Sequence, residues 1–173
     1  MDRENLDFLL TQVIKQARSL GIPVSRRIDP HVAVNTRART RFGCCRSAMG
    51  RHTIEISAAL LNGEEQAVCQ VLAHEILHTC PGCANHGAKW QSWAALMSRH
   101  FGYNIRRTDS HSDLGLEDLR PVRYVVVCTG CGRRINRMKK SALVAHPERY
   151  RCTCGGRLTV EIPGDTTFVT QGD

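Results

Sequence analysis

The stretch Val68–Trp90, VCQVLAHEILHTCPGCANHGAKW, decides how this chain is read. An α-helix turns by about 100° per residue, so His74 and His78 lie one turn apart on one face, where their imidazoles can converge on a small cation. Glu75 is the next residue round, near enough to act on a water at that cation without becoming a ligand, as the zincin signature requires. Between Ala67 and Leu77 the only polar side chains are Gln70, His74 and Glu75. A helix so apolar belongs in the interior. Two imidazoles and a carboxylate left there unpaired are costly, whereas a metal and its water satisfy all three. Satisfied core histidines are the plain alternative; the helical context and the further His86 weigh against them.

Downstream, Trp90, Trp93, Ala94, Met97 and Phe101 recur with helical spacing. This predicts a second helix packed on the first, with His86 at or just before its first turn and held toward the metal. Pro81 and Gly82 stop the first helix by Thr79. Cys80 and Cys83 flank that break as a CPGC element, open to three readings: structural thiols, a removable disulfide or half a metal site. Upstream, Asn62 with Glu65 three residues on resembles a capping box, which predicts a helix start near Gly63.

From His31 to Ser57 apolar and polar residues alternate as in half-buried strands, with Gly43 and Gly50 marking turns or a bulge. In a strand, Arg37, Arg39 and Arg41 would form one basic stripe, either a nucleic-acid contact or a solvated edge that blocks strand pairing. The adjacent Cys44 and Cys45 read as small buried hydrophobes rather than ligands. Leu6, Leu9, Leu10, Val13, Ile14 and Ala17 predict an amphipathic entry helix over Glu4–Leu20, closed by Gly21 and Pro23.

The C-terminal part reads YVVVCTGCGRR from Tyr124 and YRCTCGGRLTVEI from Tyr150. Cysteine pairs trailed by glycine and arginine are how a zinc ribbon sets thiolates on tight turns, so Cys128, Cys131, Cys152 and Cys154 are assigned to a structural zinc. About forty residues bury too little apolar surface to fold unaided. Arg133, Arg134, Arg137, Lys139 and Lys140 crowd this part, and Tyr124 and Tyr150 offer surfaces for stacking or packing. The stretch Thr108–Arg120 is polar and acidic; it reads as a linker or surface helix, with His111 solvated.

The chain has 173 residues, nine cysteines and a formal net charge of +8. An odd cysteine count with close pairs beside histidines fits metal ligation in a reducing compartment better than disulfides. No apolar run approaches the ~18 residues of a membrane span. The acidic N-terminus does not read as a signal peptide, so an intracellular location is expected, cytoplasmic or nucleoid, or nuclear in a eukaryote. The positive charge favours polyanionic partners.

Taken together, the entry helix, the basic hairpin with Gly43-Cys44, IEIS before the helix, HEILH, His86-Gly87 with Trp90 three residues on, and the ribbon ending YRCTCGGRL resemble the SprT-like metallopeptidases. The resemblance runs over roughly residues 4–161 and implies that His86 is the third zinc ligand. It also implies proteolysis of DNA-associated or DNA-crosslinked proteins with DNA as activator, single-stranded or duplex undecided.

The expectation is therefore an α+β fold: a zincin-like core with a small antiparallel sheet over 1–105, a linker over 106–121, a zinc ribbon over 122–162 and a tail over 163–173. Two Zn²⁺ are expected, one catalytic on His74, His78 and His86 and one structural, with Glu75 as the catalytic residue. Protein substrates and DNA, bound through Arg37, Arg39, Arg41, Arg133, Arg134, Arg137, Lys139 and Lys140, are the expected partners of a monomer that does not use a membrane. The competing class is a nucleic-acid-binding or recruitment module with a structural or vestigial zincin site. Such a module has no need of Glu75.

Overall fold

Asp2 opens the first helix by accepting a hydrogen bond from the Asn5 N–H at 2.9 Å. Helix α1 then runs Arg3–Ser19 and buries Leu6, Leu9, Leu10, Val13 and Ala17, the stripe its spacing predicts. It ends where Gly21 adopts φ +72°, a left-handed conformation that glycine takes without steric cost. The computed structural model describes residues 1–117 and 120–163. The chain divides into two compact units, Met1–Asp118 and Leu119–Asp173; all but the first residue of the expected tail, 163–173, lies outside the described residues.

In the first unit, strands β1 (Ala33–Asn35), β2 (Gly43–Ala48) and β3 (Arg51–Ser57) form one sheet in the order β1-β3-β2. β2 is antiparallel to β3 and β1 is parallel to it, so the sheet is mixed, not antiparallel as expected. The cause is the loop 36–42, which carries the chain from one edge to the other across the end of β3. Asn35 Oδ1 turns the chain out of β1 by accepting from the Arg37 and Ala38 N–H groups at 2.8 and 2.9 Å. Ser57 Oγ then anchors the loop by donating to the Ala38 carbonyl at 2.8 Å. Arg37, Arg39 and Arg41 therefore sit on a loop, and the expected strand face does not form.

A 3-10 turn, Ala58–Asn62, leads into helix α2, Glu65–Leu77. Asn62 closes that turn and does not cap α2; Glu64 holds the cap position without a side-chain hydrogen bond. What holds α2 is burial: Val68, Leu72, Ala73, Ile76 and Leu77 are inaccessible to solvent, and the helix packs against α1, β2, β3 and the third helix, α3 (Ala88–Phe101). Burying one Leu or Ile side chain contributes about 1.5–3 kcal/mol, so a helix without a side-chain cap is well secured.

Residues 106–117, expected to be a linker, pack on the first unit. Leu114 is buried, Leu116 lies against the core, and the His111 ring meets Phe42 edge-on at 4.8 Å rather than standing in solvent. Arg106 ties the segment together through Asp113 at 3.0 Å.

In the second unit β4 (Tyr124–Cys128) lies between β5 (Arg134–Arg137) and β6 (Leu158–Glu161), antiparallel to both. A short helix α4, Ala142–Ala145, absent from the sequence reading, fills the connection after β5. Val125, Val126 and Val144 are its buried aliphatic side chains among the described residues, a core too small to hold a fold by itself. No helix among the described residues is long and apolar enough to cross a membrane.

Candidate metal centre and active site

His74 lies in the last turn of α2, His78 at its C-cap, and His86 in the loop just before α3. Their Nε2 atoms meet: His74 to His78 at 3.3 Å and His74 to His86 at 2.9 Å. Ligands about 2.05 Å from a tetrahedral zinc stand about 3.3 Å apart, so the cluster has the spacing that such an ion requires. His78 Nδ1 lies 2.8 Å from the Cys83 carbonyl. A carbonyl only accepts, so Nδ1 carries the proton and Nε2 keeps its lone pair for a metal.

Burial, with the neighbouring His78 and His86, brings the His74 pKa down to about 4, against a weaker upward pull from the Arg106 main chain. Burial likewise lowers His86, helped by His78 and by the Arg107 charge. His74 Nδ1 makes no hydrogen bond. Three imidazoles whose Nε2 atoms converge, two of them on rings held neutral, fit a cation and are poorly explained as core packing.

Behind them stands Trp90, 1 % exposed. Its indole stacks on His78 at 5.7 Å and meets His74 and His86 edge-on at 4.8 and 4.5 Å. The aromatic stripe predicted for α3 is thus core, and its first member is also the wall of the site.

Glu75 is 6 % exposed and stands outside the three-histidine cluster. Burial pushes its pKa up to about 7, while a hydrogen bond from the Cys45 main chain and the Arg41 charge pull it down and Asp109 pushes it up. Its carboxylate fits because residue 43 is glycine: a Cβ there would lie 2.5 Å from Glu75 Oε1 and 2.7 Å from Val71 Cγ1. Sequence reading noted Gly43 as a turn or bulge and as part of the family resemblance, without a link to Glu75; the glycine beside Cys44 at the start of a strand was the available signal.

A cavity of about 610 Å³ opens over the site, lined by residues 40–45 and Ser47, by His74, Glu75, His78 and His86, and by Arg107, Thr108 and Asp109. Cys44 and Cys45 line it and are half-buried, more accessible than expected. Cys80 and Cys83 are buried free thiols, and burial raises the Cys80 pKa to about 12, so the CPGC element shapes the turn that presents the Cys83 carbonyl. Arg37, Arg39 and Arg41 line a second, shallower cleft with Asn35 and Thr40. Thr40 and Arg41 belong to both; Arg41 is also held by Glu55 at 2.9 Å.

In the second unit the four cysteine sulfurs lie within 4.8 Å of one another. Cys128 to Cys154 is 3.5 Å and Cys131 to Cys152 is 3.6 Å, far longer than a disulfide and close to the ~3.7 Å edge of a ZnS₄ tetrahedron. The Gly130 and Cys131 N–H groups point at Cys128 Sγ, at 3.4 and 3.5 Å. Gly156 completes the cradle, because a Cβ there would stand 2.7 Å from Cys128 Sγ. The single residue between Cys152 and Cys154 does not prevent the four from meeting. Of the basic residues here, Arg134 is paired with Glu161 at 2.6 Å and Arg133 donates to Thr153 at 3.0 Å; Lys139 and Lys140 are exposed and Arg137 is half-buried.

Compared with known families, residues 11–110 match the SprT-like family. The chain belongs to the SprT-like family. Membership covers the helix pair, the sheet and the three histidines, and supports a zinc-peptidase type of function; the matched span stops short of the ribbon. Among solved structures, the chain is similar to the crystal structure of the metallopeptidase zymogen of Pyrococcus abyssi abylysin, with a TM-score of 0.43 and 17 % identity over 58 % of this chain and 83 % of that one. No curated protein matches.

Proposed function

We propose that this SprT-like chain is a zinc-dependent endopeptidase acting on proteins associated with or crosslinked to DNA. The observation that carries the peptidase reading is the meeting of three imidazole Nε2 atoms beside a buried carboxylate in an open cavity. His74, His78 and His86 would hold the ion, and a zinc bound there supplies Lewis acidity, polarising a peptide carbonyl and lowering the pKa of water toward ~7. Glu75, with a pKa near 7, is suited to take a proton from the attacking water and return it to the departing amine. Gly43 keeps the carboxylate in place, and the Cys83 carbonyl keeps the His78 ring turned toward the cluster. Cys128, Cys131, Cys152 and Cys154 would hold a second, structural zinc.

The DNA reading is supported by the net charge of +8 and by the Arg37, Arg39 and Arg41 cleft adjoining the cavity; the basic residues of the ribbon add a second cationic surface. The nine free thiols suit a reducing, intracellular setting. Digestion of a basic DNA-binding protein, with and without DNA, tests the whole reading. Wild type should cleave and DNA should stimulate it, while Glu75→Gln keeps zinc and fold but loses several orders of magnitude in rate. Full activity of Glu75→Gln would rule out the mechanism. DNA affinity should fall with salt by about one unit of log–log slope per phosphate neutralised; no binding at low salt would remove DNA from the proposal.

A further inference from the structure

The cavity over the three histidines is lined by two arginines and two acids. Three of these four have partners. Arg41 is held by Glu55 at 2.9 Å, Asp109 by Gln70 at 3.4 Å, and Glu75 by the Cys45 main chain. Arg107 is different: its side chain is exposed to the cavity and, among the described residues, makes no hydrogen bond and no ion pair.

Its sequence neighbour shows the contrast. Arg106 donates to Asn104 at 3.1 Å and to Asp113 at 3.0 Å, fastening the segment that follows α3. That segment is well anchored. Gln70, buried on α2, accepts from the Asn104 N–H at 2.9 Å, Ser110 N–H donates to Asp113 at 2.9 Å, and Leu114 is 2 % exposed. Arg107 therefore projects from an anchored segment with its guanidinium uncommitted, a group available to whatever enters the cavity.

Hydrolysis of a peptide bond creates a demand for such a group. The water oxygen bonds to the carbonyl carbon, its proton passes to Glu75, and the carbonyl π pair moves onto oxygen. When the intermediate collapses the C–N bond breaks, its electron pair goes to nitrogen, and Glu75 returns the proton there. In between, the former carbonyl oxygen carries negative charge that the substrate lacked. A fixed donor facing that oxygen in a partly enclosed site binds the transition state better than the ground state.

We propose that Arg107 is the catalytic residue that donates to this oxyanion. The assignment rests on the peptidase reading above and adds to it an arginine that lines the same cavity and whose charge is felt by His86.

The test uses the full-length, zinc-loaded chain as wild type, Arg107→Ala and Arg107→Lys, assayed on a cleaved peptide and with a phosphinate isostere of that peptide, whose charged oxygens mimic the intermediate. Arg107→Ala should lower kcat about 10²–10³-fold, the usual loss for one oxyanion donor, with KM changed by less than about 3-fold. The phosphinate should weaken in the same proportion as kcat/KM falls, with zinc content and Tm unchanged. Arg107→Lys should recover part of both losses. A kcat for Arg107→Ala within about 3-fold of wild type, a loss confined to KM, or undiminished phosphinate affinity would each overturn the assignment while leaving the peptidase reading intact. Absence of any cleavage by zinc-loaded wild type would overturn that reading and the assignment with it.

Discussion

Gly43 and Glu75 are built around each other: the space a Cβ at residue 43 would need is within 2.5 Å of the Glu75 Oε1 atom. Strand β2 can pass this close to α2 only because its first residue has no side chain, and the approach brings the Cys45 main chain within hydrogen-bonding reach of the carboxylate.

Gly43→Ala should therefore displace Glu75. We expect a stability loss of about 1–3 kcal/mol from overpacking, seen in thermal melts, and a fall in kcat/KM larger than the melt would suggest. Zinc content should stay at the wild-type value, since the atoms nearest a Cβ at residue 43 belong to Glu75 and Val71 and not to the three histidines. An Ala variant with wild-type kinetics would show that the carboxylate needs no such cradle.

The turn after α2 should govern metal affinity. Gly82 sits at φ +77° between the two buried thiols, and its conformation aims the Cys83 carbonyl at His78. Gly82→Ala forces a side chain into the left-handed region and should weaken zinc binding about 10–100-fold, the range found for partners that orient a ligand. Competition with a zinc-binding dye measures this. Unchanged affinity would mean that the Cys83 hydrogen bond is dispensable.

Metal removal should proceed in two stages. Freshly prepared protein should contain two zinc ions per chain, and a chelator should first take the one held by three histidines, whose site opens to solvent. Gly156→Ala should instead disturb the sulfur cluster and lower zinc content toward one per chain. Simultaneous loss of both ions from wild type would contradict two independent sites.

His31 and Asp7 give a pH signature away from the site. The hydrogen bond and charge of Asp7 raise the His31 pKa above 6.5. For Asp7, burial acts upward, but the His31 bond, the Val32 N–H and the His31 and Arg3 charges outweigh it and hold the carboxyl below 3.8. The His31 contribution is complete below 6.5 and is lost as pH rises through its raised pKa. The Asp7 contribution is complete above 3.8 and is lost as pH falls through its lowered pKa. The pair thus stabilises most between about pH 4 and 6.5, so the Tm difference between wild type and His31→Ala should peak there and shrink on both sides. A difference flat in pH would show that the pair carries no charge interaction.

The local parts of the site were legible in sequence. His74, Glu75 and His78 follow from helical periodicity alone, and the four ribbon cysteines from their flanking turns. His86 was placed near the metal by the stripe of the following helix, but its role as third ligand needed the family resemblance, because no periodicity links a loop residue to a helix before it. Gly43 was read as a turn or bulge and as part of the family resemblance, without a link to Glu75: its importance arises from β2 approaching α2, which sequence spacing does not encode. The alternation of Arg37, Arg39 and Arg41 misled because a period of two belongs equally to an Asx turn and the loop it starts. Residues 106–117 misled through composition, since two leucines suffice to seat an otherwise polar segment.

That segment also sets a boundary. The predicted break falls at 105 and the family match at 110, yet Leu116 lies against Gly63 and Leu114 fills the core. A proteolytic fragment ending at 105 would uncover apolar surface and lose one bank of the cavity, whereas one that retains residue 117 keeps both. The first compact unit thus runs on past the end of the family match, and limited digestion should leave the bonds between 105 and 117 intact.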